Sequence, residues 1–206
     1  PMDAGAVLIL ELDGLEAGLE RQLQRVIEIF WKNHVRETRP ARTEQERADL
    51  WKCRKRAFGA IGRISPNFVT QDGVVPRSKL PKIMRFIYDI CKKRGLGVAN
   101  VAHAGDGNIH PIIFYDERVP GDVEKAYECS IEIVRKCIEL GGTVTGEHGI
   151  GVEKVDLMAV QFSTDDLDAM KRVRRVFDPE GRCNPHKMFP GGTRRLTFKP
   201  KKQAAV

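Results

Sequence analysis

The chain has 206 residues, of which 41% are hydrophobic and 31% are charged, and this is the composition of an ordinary globular protein. No apolar run reaches the roughly 18 residues that a membrane-spanning helix needs, and we expect no signal peptide. The net charge of +7 does not predict a nucleic-acid partner, because basic residues without any acidic residue are concentrated at positions 194–202. We expect residues 193–206 to form a disordered basic tail.

The cysteines indicate a reducing compartment. There are five, and an odd number without close pairs argues against a disulfide framework or a cysteine-rich zinc site. The protein is therefore expected in the cytoplasm. Because the chain begins with Pro1 rather than Met, we expect it either to be a fragment of a longer protein or to carry a residue left from cloning.

Strands and helices alternate along the chain. Short β-prone runs predict the strands, and apolar residues at helical spacing predict the helices. In chain order, the predicted elements are a strand over 6–12, a helix over 15–34, a helix that Thr43 caps with Glu46 and that runs through Phe58, a strand over 68–75, a helix from Ser78 to Gly95, strands over 98–103 and 108–115, a helix over 121–140, and two helical pieces over 151–177 that break near Phe162.

The element order favours an α+β fold. We expect a ferredoxin-like antiparallel or mixed sheet with helices on one face, followed by a C-terminal helical extension. Residues 1–192 would form this domain. The chain contains no glycine-rich dinucleotide or phosphate loop, so the residues give no signal for a nucleotide site.

The strongest motif is the segment 103–110, His-Ala-Gly-Asp-Gly-Asn-Ile-His. Asp-Gly between two β-prone runs favours a two-residue hairpin turn, which would place His103 directly opposite His110. Opposed residues share a face of the sheet with Cβ atoms about 5 Å apart, so the two imidazoles are able to bind one metal ion. The alternative is that both are ordinary surface histidines.

A second motif is the segment 146–151, Gly-Glu-His-Gly-Ile-Gly. Its glycines allow sharp bends, so that Glu147 and His148 are able to reach one pocket. Glu147 would then complete a metal site with open positions, and His148 would accept a proton near neutral pH. The alternative is a turn at a helix entry with a capping glutamate.

Two further segments are weaker signals. The basic run 51–56 contains Arg54, which is able to hold a carboxylate through two parallel hydrogen bonds, although a solvated basic helix face is the simpler interpretation. The segment 177–190 contains turn signals and is interpreted as an irregular C-terminal wrap.

Together these motifs resemble the C-terminal domain of FAD-linked oxidases and dehydrogenases of 2-hydroxy acids, the group of glycolate oxidase and D-lactate dehydrogenase. The resemblance extends from about residue 5 to residue 191. It rests on the histidine pair with its Gly-Asp-Gly-Asn turn, on the segment 146–151, and on the Asn-Pro-x-Lys of 184–187. The segments 62–66 and 72–77 are most similar to the glycolate oxidase branch.

The resemblance implies an N-terminal FAD-binding domain, absent from this chain, and a divalent metal such as zinc, manganese or iron. It assigns roles to six residues. These are His103, His110 and Glu147 as metal ligands, His148 as the catalytic base, Arg54 as the ligand of the substrate carboxylate, and Asn184 beside the flavin. In the D-2-hydroxyglutarate branch, an Asn stands two residues after the second histidine. Here that position is Ile112, which favours a small monocarboxylate.

We therefore expect the substrate- and metal-binding domain of a flavin-dependent oxidoreductase that converts glycolate or a D-lactate-like acid to the 2-oxo acid. The isolated chain would be inactive. Its implied partners are the FAD domain of the same protein, the hydroxy acid and electron-transfer subunits, in the cytoplasm or peripherally at the inner membrane. Two alternatives remain, namely a stand-alone metal-dependent hydrolase and a non-catalytic ferredoxin-like ligand or dimerisation module.

Overall fold

The structure is a computed structural model that describes residues 3–191, so the predicted tail at 193–206 lies outside the described residues. The chain divides into two units, residues 1–61 and 62–206. Among residues 3–191, no helix is both long and apolar enough to cross a membrane.

The first unit contains two helices, α1 (Glu16–Lys32) and α2 (Glu44–Ile61). The predicted capping box of α2 is confirmed, because Thr43 Oγ1 accepts from the Glu46 amide at 3.2 Å and Glu46 Oε2 accepts from the Thr43 amide at 3.1 Å. Each of these two hydrogen bonds satisfies a backbone amide at the start of the helix that has no partner within the helix.

The predicted strand over residues 6–12 is wrong. A strand forms only where its backbone amides and carbonyls pair with a neighbour, and residues 6–12 pair with no strand in the described part of the chain. Val7 and Leu8, two residues of the apolar run that suggested a strand, are 73% and 57% exposed.

The second unit has a small antiparallel sheet with β4 (Asn108–Tyr115) at its centre. One edge of β4 pairs with β3 (Gly97–His103). The other edge pairs with β1 (Asn67–Thr70) and β2 (Gly73–Val74), which keep one common register. Thr143 adds a single antiparallel bridge to Val74, so the last strand of the ferredoxin-like order is reduced to one residue.

The predicted strand over 68–75 is interrupted at Gln71 and Asp72. In the common register, these two residues stand opposite Pro111 and His110. The Gln71 amide donates to the Pro111 carbonyl at 2.9 Å, but proline has no N–H to return the second bond of the pair. The sheet therefore opens beside His110.

Two helices pack on one face of this sheet, as expected for the α+β class. They are α3 (Leu80–Lys93) and α4 (Asp122–Glu139), and they share a core with Ile109 and Ile113 of β4. Because side chains alternate along a strand, His110 points to the opposite face.

The C-terminal helical extension is confirmed. It consists of a 3₁₀ turn (Val155–Leu157), α5 (Met158–Gln161) and α6 (Thr164–Phe177). The predicted break at Phe162 is present, and Ser163 forms a capping box with Asp166 at the start of α6. A second apolar cluster packs α5 and α6 against α4.

Candidate functional site

The hairpin between β3 and β4 has a four-residue turn, Ala104–Gly107, so the predicted two-residue turn is wrong. His103 stands opposite Asn108, and His110 stands opposite Val101. A type I′ turn needs positive φ at both central residues, and of Asp106 and Gly107 only Gly107 has it, with φ of 78°. The amides of both residues instead donate to the His103 carbonyl at 3.0 and 3.1 Å.

The two histidines nevertheless share a face of the sheet. The true register differs from the predicted one by two residues, and an even shift leaves each side chain on its original face. The histidines are diagonal neighbours, with ring centroids 5.5 Å apart and planes at 89°.

Glu147 joins the pair from the loop that follows the Thr143 bridge. Its Oε1 lies 3.0 Å from His110 Nε2 and 3.6 Å from His103 Nε2. The ligand atoms of these three residues all lie within 4.8 Å of one another, which is close enough to bind one ion. The structure thus brings together the three residues that the sequence suggested as metal ligands.

His148 lies against the same cluster. Its ring stacks on His110 with a centroid distance of 4.9 Å and an interplanar angle of 11°, and its Nε2 is 3.8 Å from Glu147 Oε1. The side chain is 49% exposed, so a small molecule is able to approach it. A side chain that accepts a proton from a substrate has to be accessible in this way.

Asp72 completes the site, although the sequence analysis gave it no role. It is 1% exposed and lies in the interruption between β1 and β2. Its carboxylate accepts from the Thr145 hydroxyl at 2.5 Å and from the amides of Gly146 at 2.8 Å, Glu147 at 3.2 Å and His148 at 3.2 Å. One buried carboxylate therefore binds the whole loop that carries Glu147 and His148.

Lys154 is the counter-charge of Asp72. Its ammonium is buried and donates to the Asp72 carbonyl at 3.0 Å and to Asp72 Oδ2 at 3.3 Å. Burial would raise the pKa of Asp72, but the Thr145 and Gly146 hydrogen bonds and the Lys154 charge hold that pKa well below its ordinary value. Burial lowers the pKa of Lys154, against the opposing effect of Asp72.

The electrostatics of His110 fit a bound cation. Burial, with help from His148, lowers the pKa of His110 and favours its neutral form. Its Nδ1 is buried without a hydrogen-bond partner among residues 3–191, and Asp72 Oδ1 lies 3.9 Å from it. If Nδ1 carries the proton, then the lone pair of Nε2 faces Glu147 Oε1, and a cation between these two acceptors removes their repulsion.

A second group of potential ligands consists of Asp72, His110 and His148. It suits a cation less well, since the Asp72 carboxylate already accepts several hydrogen bonds and lies beside the Lys154 ammonium. Within residues 3–191, Glu147 of the other donor set pairs with histidines and with no Lys or Arg. The nitrogen and oxygen ligands of this set, His103, His110 and Glu147, are those that zinc and similar ions accept.

Two predicted site residues lie elsewhere in the chain. Arg54 is on α2 of the first unit and is half-buried. Asn184 follows α6 with a φ of 43°, and its Oδ1 accepts from Lys187 Nζ at 3.5 Å. The roles suggested for Arg54 and Asn184 stay predictions.

Comparisons with known proteins give one consistent result. The family model "FAD linked oxidases, C-terminal domain" matches residues 1–188. Glycolate oxidase subunit GlcD of Escherichia coli (strain K12) is 43% identical over 190 residues, which are 92% of this chain and 38% of that protein. GlcD of Bacillus subtilis (strain 168) is 36% identical over 195 residues, which are 95% of the chain and 42% of the relative.

The mitochondrial D-lactate dehydrogenase (cytochrome) of Arabidopsis thaliana is 30% identical over 185 residues, which are 89% of this chain and 33% of that protein. The chain thus spans between a third and about two fifths of the length of these relatives.

Proposed function

Because the chain belongs to the family of FAD linked oxidase C-terminal domains, we propose that it is the substrate- and metal-binding part of a flavin enzyme that oxidises a small 2-hydroxy acid. The observation that carries the proposal is the convergence of three imidazoles on one carboxylate oxygen of Glu147. The relatives named for glycolate and D-lactate suggest a monocarboxylate substrate. The buried Ile112 on β4 supports the same choice, because a substrate with a second carboxylate would need a polar side chain at this position.

The ligand set of the proposed divalent ion is His103, His110 and Glu147. This set is supported by the closeness of the three donor atoms and by the unpartnered Nδ1 of His110 within the described chain. When bound, the ion supplies a Lewis acid that makes the substrate hydroxyl more acidic, and the flavin supplies the hydride acceptor.

His148 is the proposed base. Oxidation of a 2-hydroxy acid removes a hydride from the carbon and a proton from the hydroxyl, and the product is the 2-oxo acid. The half-exposed imidazole of His148 would take that proton on Nε2, beside Glu147 Oε1. Its ring stacks on the buried His110 ring, which would fix the plane in which the imidazole meets a substrate.

The remaining roles rest on the family resemblance. Arg54 would bind the substrate carboxylate through a planar fork of donors, and Asn184 would lie beside the flavin. The FAD domain of the same protein would complete the pocket, and electron-transfer subunits would reoxidise the flavin. The enzyme would work in the cytoplasm or peripherally at the inner membrane.

A metal titration of this chain tests the ligand set. Calorimetry with Mn²⁺ or Zn²⁺ is expected to detect one site in the wild type and its loss in His110→Ala. The control is His34→Asn, which removes a histidine outside the cluster at a position with φ of 60°, a conformation that Asn tolerates. Equal binding by wild type and His110→Ala would show that the ligands are wrong.

The catalytic proposal needs the full-length enzyme loaded with FAD. Anaerobic addition of glycolate or D-lactate should bleach the flavin absorption, and His148→Asn should slow the bleaching by about 10²–10⁴-fold with a smaller change in binding. A rate within about threefold of wild type would remove His148 as the base. A full-length protein that binds metal but leaves the flavin oxidised would point instead to metal-dependent hydrolysis.

A further inference from the structure

We propose that Asp72 is the positioning residue of this site, which holds the loop of Glu147 and His148 in place and orients the imidazole of His110. The inference rests on the proposed metal site, and it assigns a task to a residue that binds neither metal nor substrate. The proposal is based on the different contacts of the two carboxylate oxygens, since Oδ2 accepts most of the loop's hydrogen bonds and Oδ1 lies on the side of His110.

One oxygen holds the loop. Asp72 Oδ2 accepts from the Thr145 hydroxyl at 2.5 Å and from the amides of Gly146 at 2.8 Å and His148 at 3.2 Å. Successive amides that point at one acceptor form a concave anion-binding arrangement of the backbone. The backbone on either side of Glu147 and His148 is thus fixed, although the flanking glycines would otherwise leave it free to bend.

The other oxygen faces His110. Asp72 Oδ1 shares the Glu147 amide with Oδ2, at 3.2 and 3.3 Å, and accepts from no other group within the described chain. It lies 3.9 Å from His110 Nδ1, where it acts through its charge and not through a hydrogen bond. The strand register places Asp72 directly opposite His110, so this approach is built into the sheet. A carboxylate on this side favours the tautomer with the proton on Nδ1, which leaves the lone pair of Nε2 for a metal ion.

Lys154 keeps Asp72 out of the ligand set. Its ammonium lies 3.3 Å from Oδ2 and compensates the negative charge of the carboxylate inside the protein. An ion bound at Asp72 would have to compete with this cation. The same pair explains how a fully charged carboxylate is tolerated at 1% exposure.

Asp72→Asn separates the two tasks, because it replaces one acceptor oxygen with an NH₂ group. That group has to face either the loop amides or His110, so at least one of the two interactions is lost. Thr145→Val is a milder second variant that leaves Asp72 intact. It removes the hydroxyl bond to Oδ2 together with the bonds that this hydroxyl makes to the amide and carbonyl of Gly149 at 3.0 and 3.2 Å, and Thr145→Ser, which keeps the hydroxyl, is its matched control.

Nuclear magnetic resonance of the metal-free chain tests the proposal without any metal. In Asp72→Asn, we expect exchange of the loop amides 146–148 to accelerate about tenfold or more, or the His110 ¹⁵N shifts to report a proton moved to Nε2. In Thr145→Val the loop amides should exchange faster than in Thr145→Ser. Unchanged exchange and an unchanged tautomer in Asp72→Asn would overturn the proposal, and so would equal exchange in the two Thr145 variants.

A Zn²⁺ titration then joins the inference to the metal site. Thr145→Val and Asp72→Asn should bind Zn²⁺ about 10–100-fold more weakly than wild type, as expected when a group that orients a ligand is lost. Wild-type affinity in Asp72→Asn would refute the positioning role. Absence of Zn²⁺ binding in the wild type would refute the proposed metal site, while the metal-free measurements would still decide whether Asp72 holds the loop and the tautomer.

Discussion

The buried pair of Asp72 and Lys154 should be strongly coupled, and a double-mutant cycle measures the coupling. Both hydrogen bonds of the Lys154 ammonium within the described chain end on Asp72, one on its carbonyl and one on its carboxylate. Asp72→Ala leaves a buried ammonium with the carbonyl alone. Removal of one partner of a buried ion pair typically costs about 3–5 kcal/mol of unfolding free energy.

Lys154→Met should cost less. Methionine keeps most of the aliphatic stem, and Asp72 retains the Thr145 hydroxyl and the backbone amides of the loop. Both hydrogen bonds of the ammonium are lost, but the cost of burying its charge is lost with them, so the expected net loss is about 1.5–3 kcal/mol. In the double variant no ammonium is left unpaired, so its cost should fall below the sum of the single costs by more than about 1 kcal/mol.

Hydrogen exchange of the β4 amides is the appropriate assay. Both tryptophans, Trp31 and Trp51, lie in the first unit, so tryptophan fluorescence would report the wrong part of the chain. Exchange should be measured with a chelator present, so that bound metal does not contribute. If the single costs add to the double cost within about 0.5 kcal/mol, then the ammonium and the carboxylate do not act as a pair.

Four further outcomes are expected. Gly107→Ala should lose about 2 kcal/mol or more, because φ is +78° and a Cβ would lie 2.0 Å from a backbone carbonyl, whereas Gly105→Ala, where the space is open, should be nearly neutral in the same unfolding assay. Burial lowers the pKa of His110 below 6.5, so the unfolded chain binds the extra proton and unfolding titrations with chelator should show stability falling as pH drops below about 6.5, with a flatter profile in His110→Gln. In the full-length enzyme, Arg54→Lys should lower kcat/KM by an amount equivalent to a loss of about 1.5–3 kcal/mol of transition-state stabilisation. A larger effect of Arg56→Lys would show that the wrong arginine was chosen. The purified chain should have no flavin absorption, and a stoichiometric flavin spectrum would contradict the expectation of a separate FAD domain.

The sequence predicted the face of the histidine pair more reliably than its register. Asp106-Gly107 suggested a two-residue turn, but the structure places only Gly107 at positive φ and closes the hairpin with four residues. Because side chains alternate with a period of two, a register error of two residues changed the predicted partner of His110 but not the face of the sheet on which it lies. Alternation is a local property of the strand, whereas register depends on turn geometry that the sequence specifies weakly.

Asp72 could not be found in this way. It lies inside a predicted strand, and only the pairing of that strand with β4 places it opposite His110. The strand over residues 6–12 failed for the related reason that a β-prone run forms a strand only where a partner is available. The helices were predicted better, since their hydrogen bonds and their caps at Thr43 and Ser163 are local.

The interruption between β1 and β2 also has a consequence for the order in which the site assembles. The hairpin of His103 and His110 closes a loop of four residues, while Asp72 meets the Gly146 amide across a separation of 74 residues. Closure of the longer loop costs roughly 2–3 kcal/mol more in chain entropy, so this contact should form after the hairpin. An ion that needs both Glu147 and the histidines would then bind after the folding transition state. Added metal should therefore slow unfolding of the second unit and leave its folding rate almost unchanged.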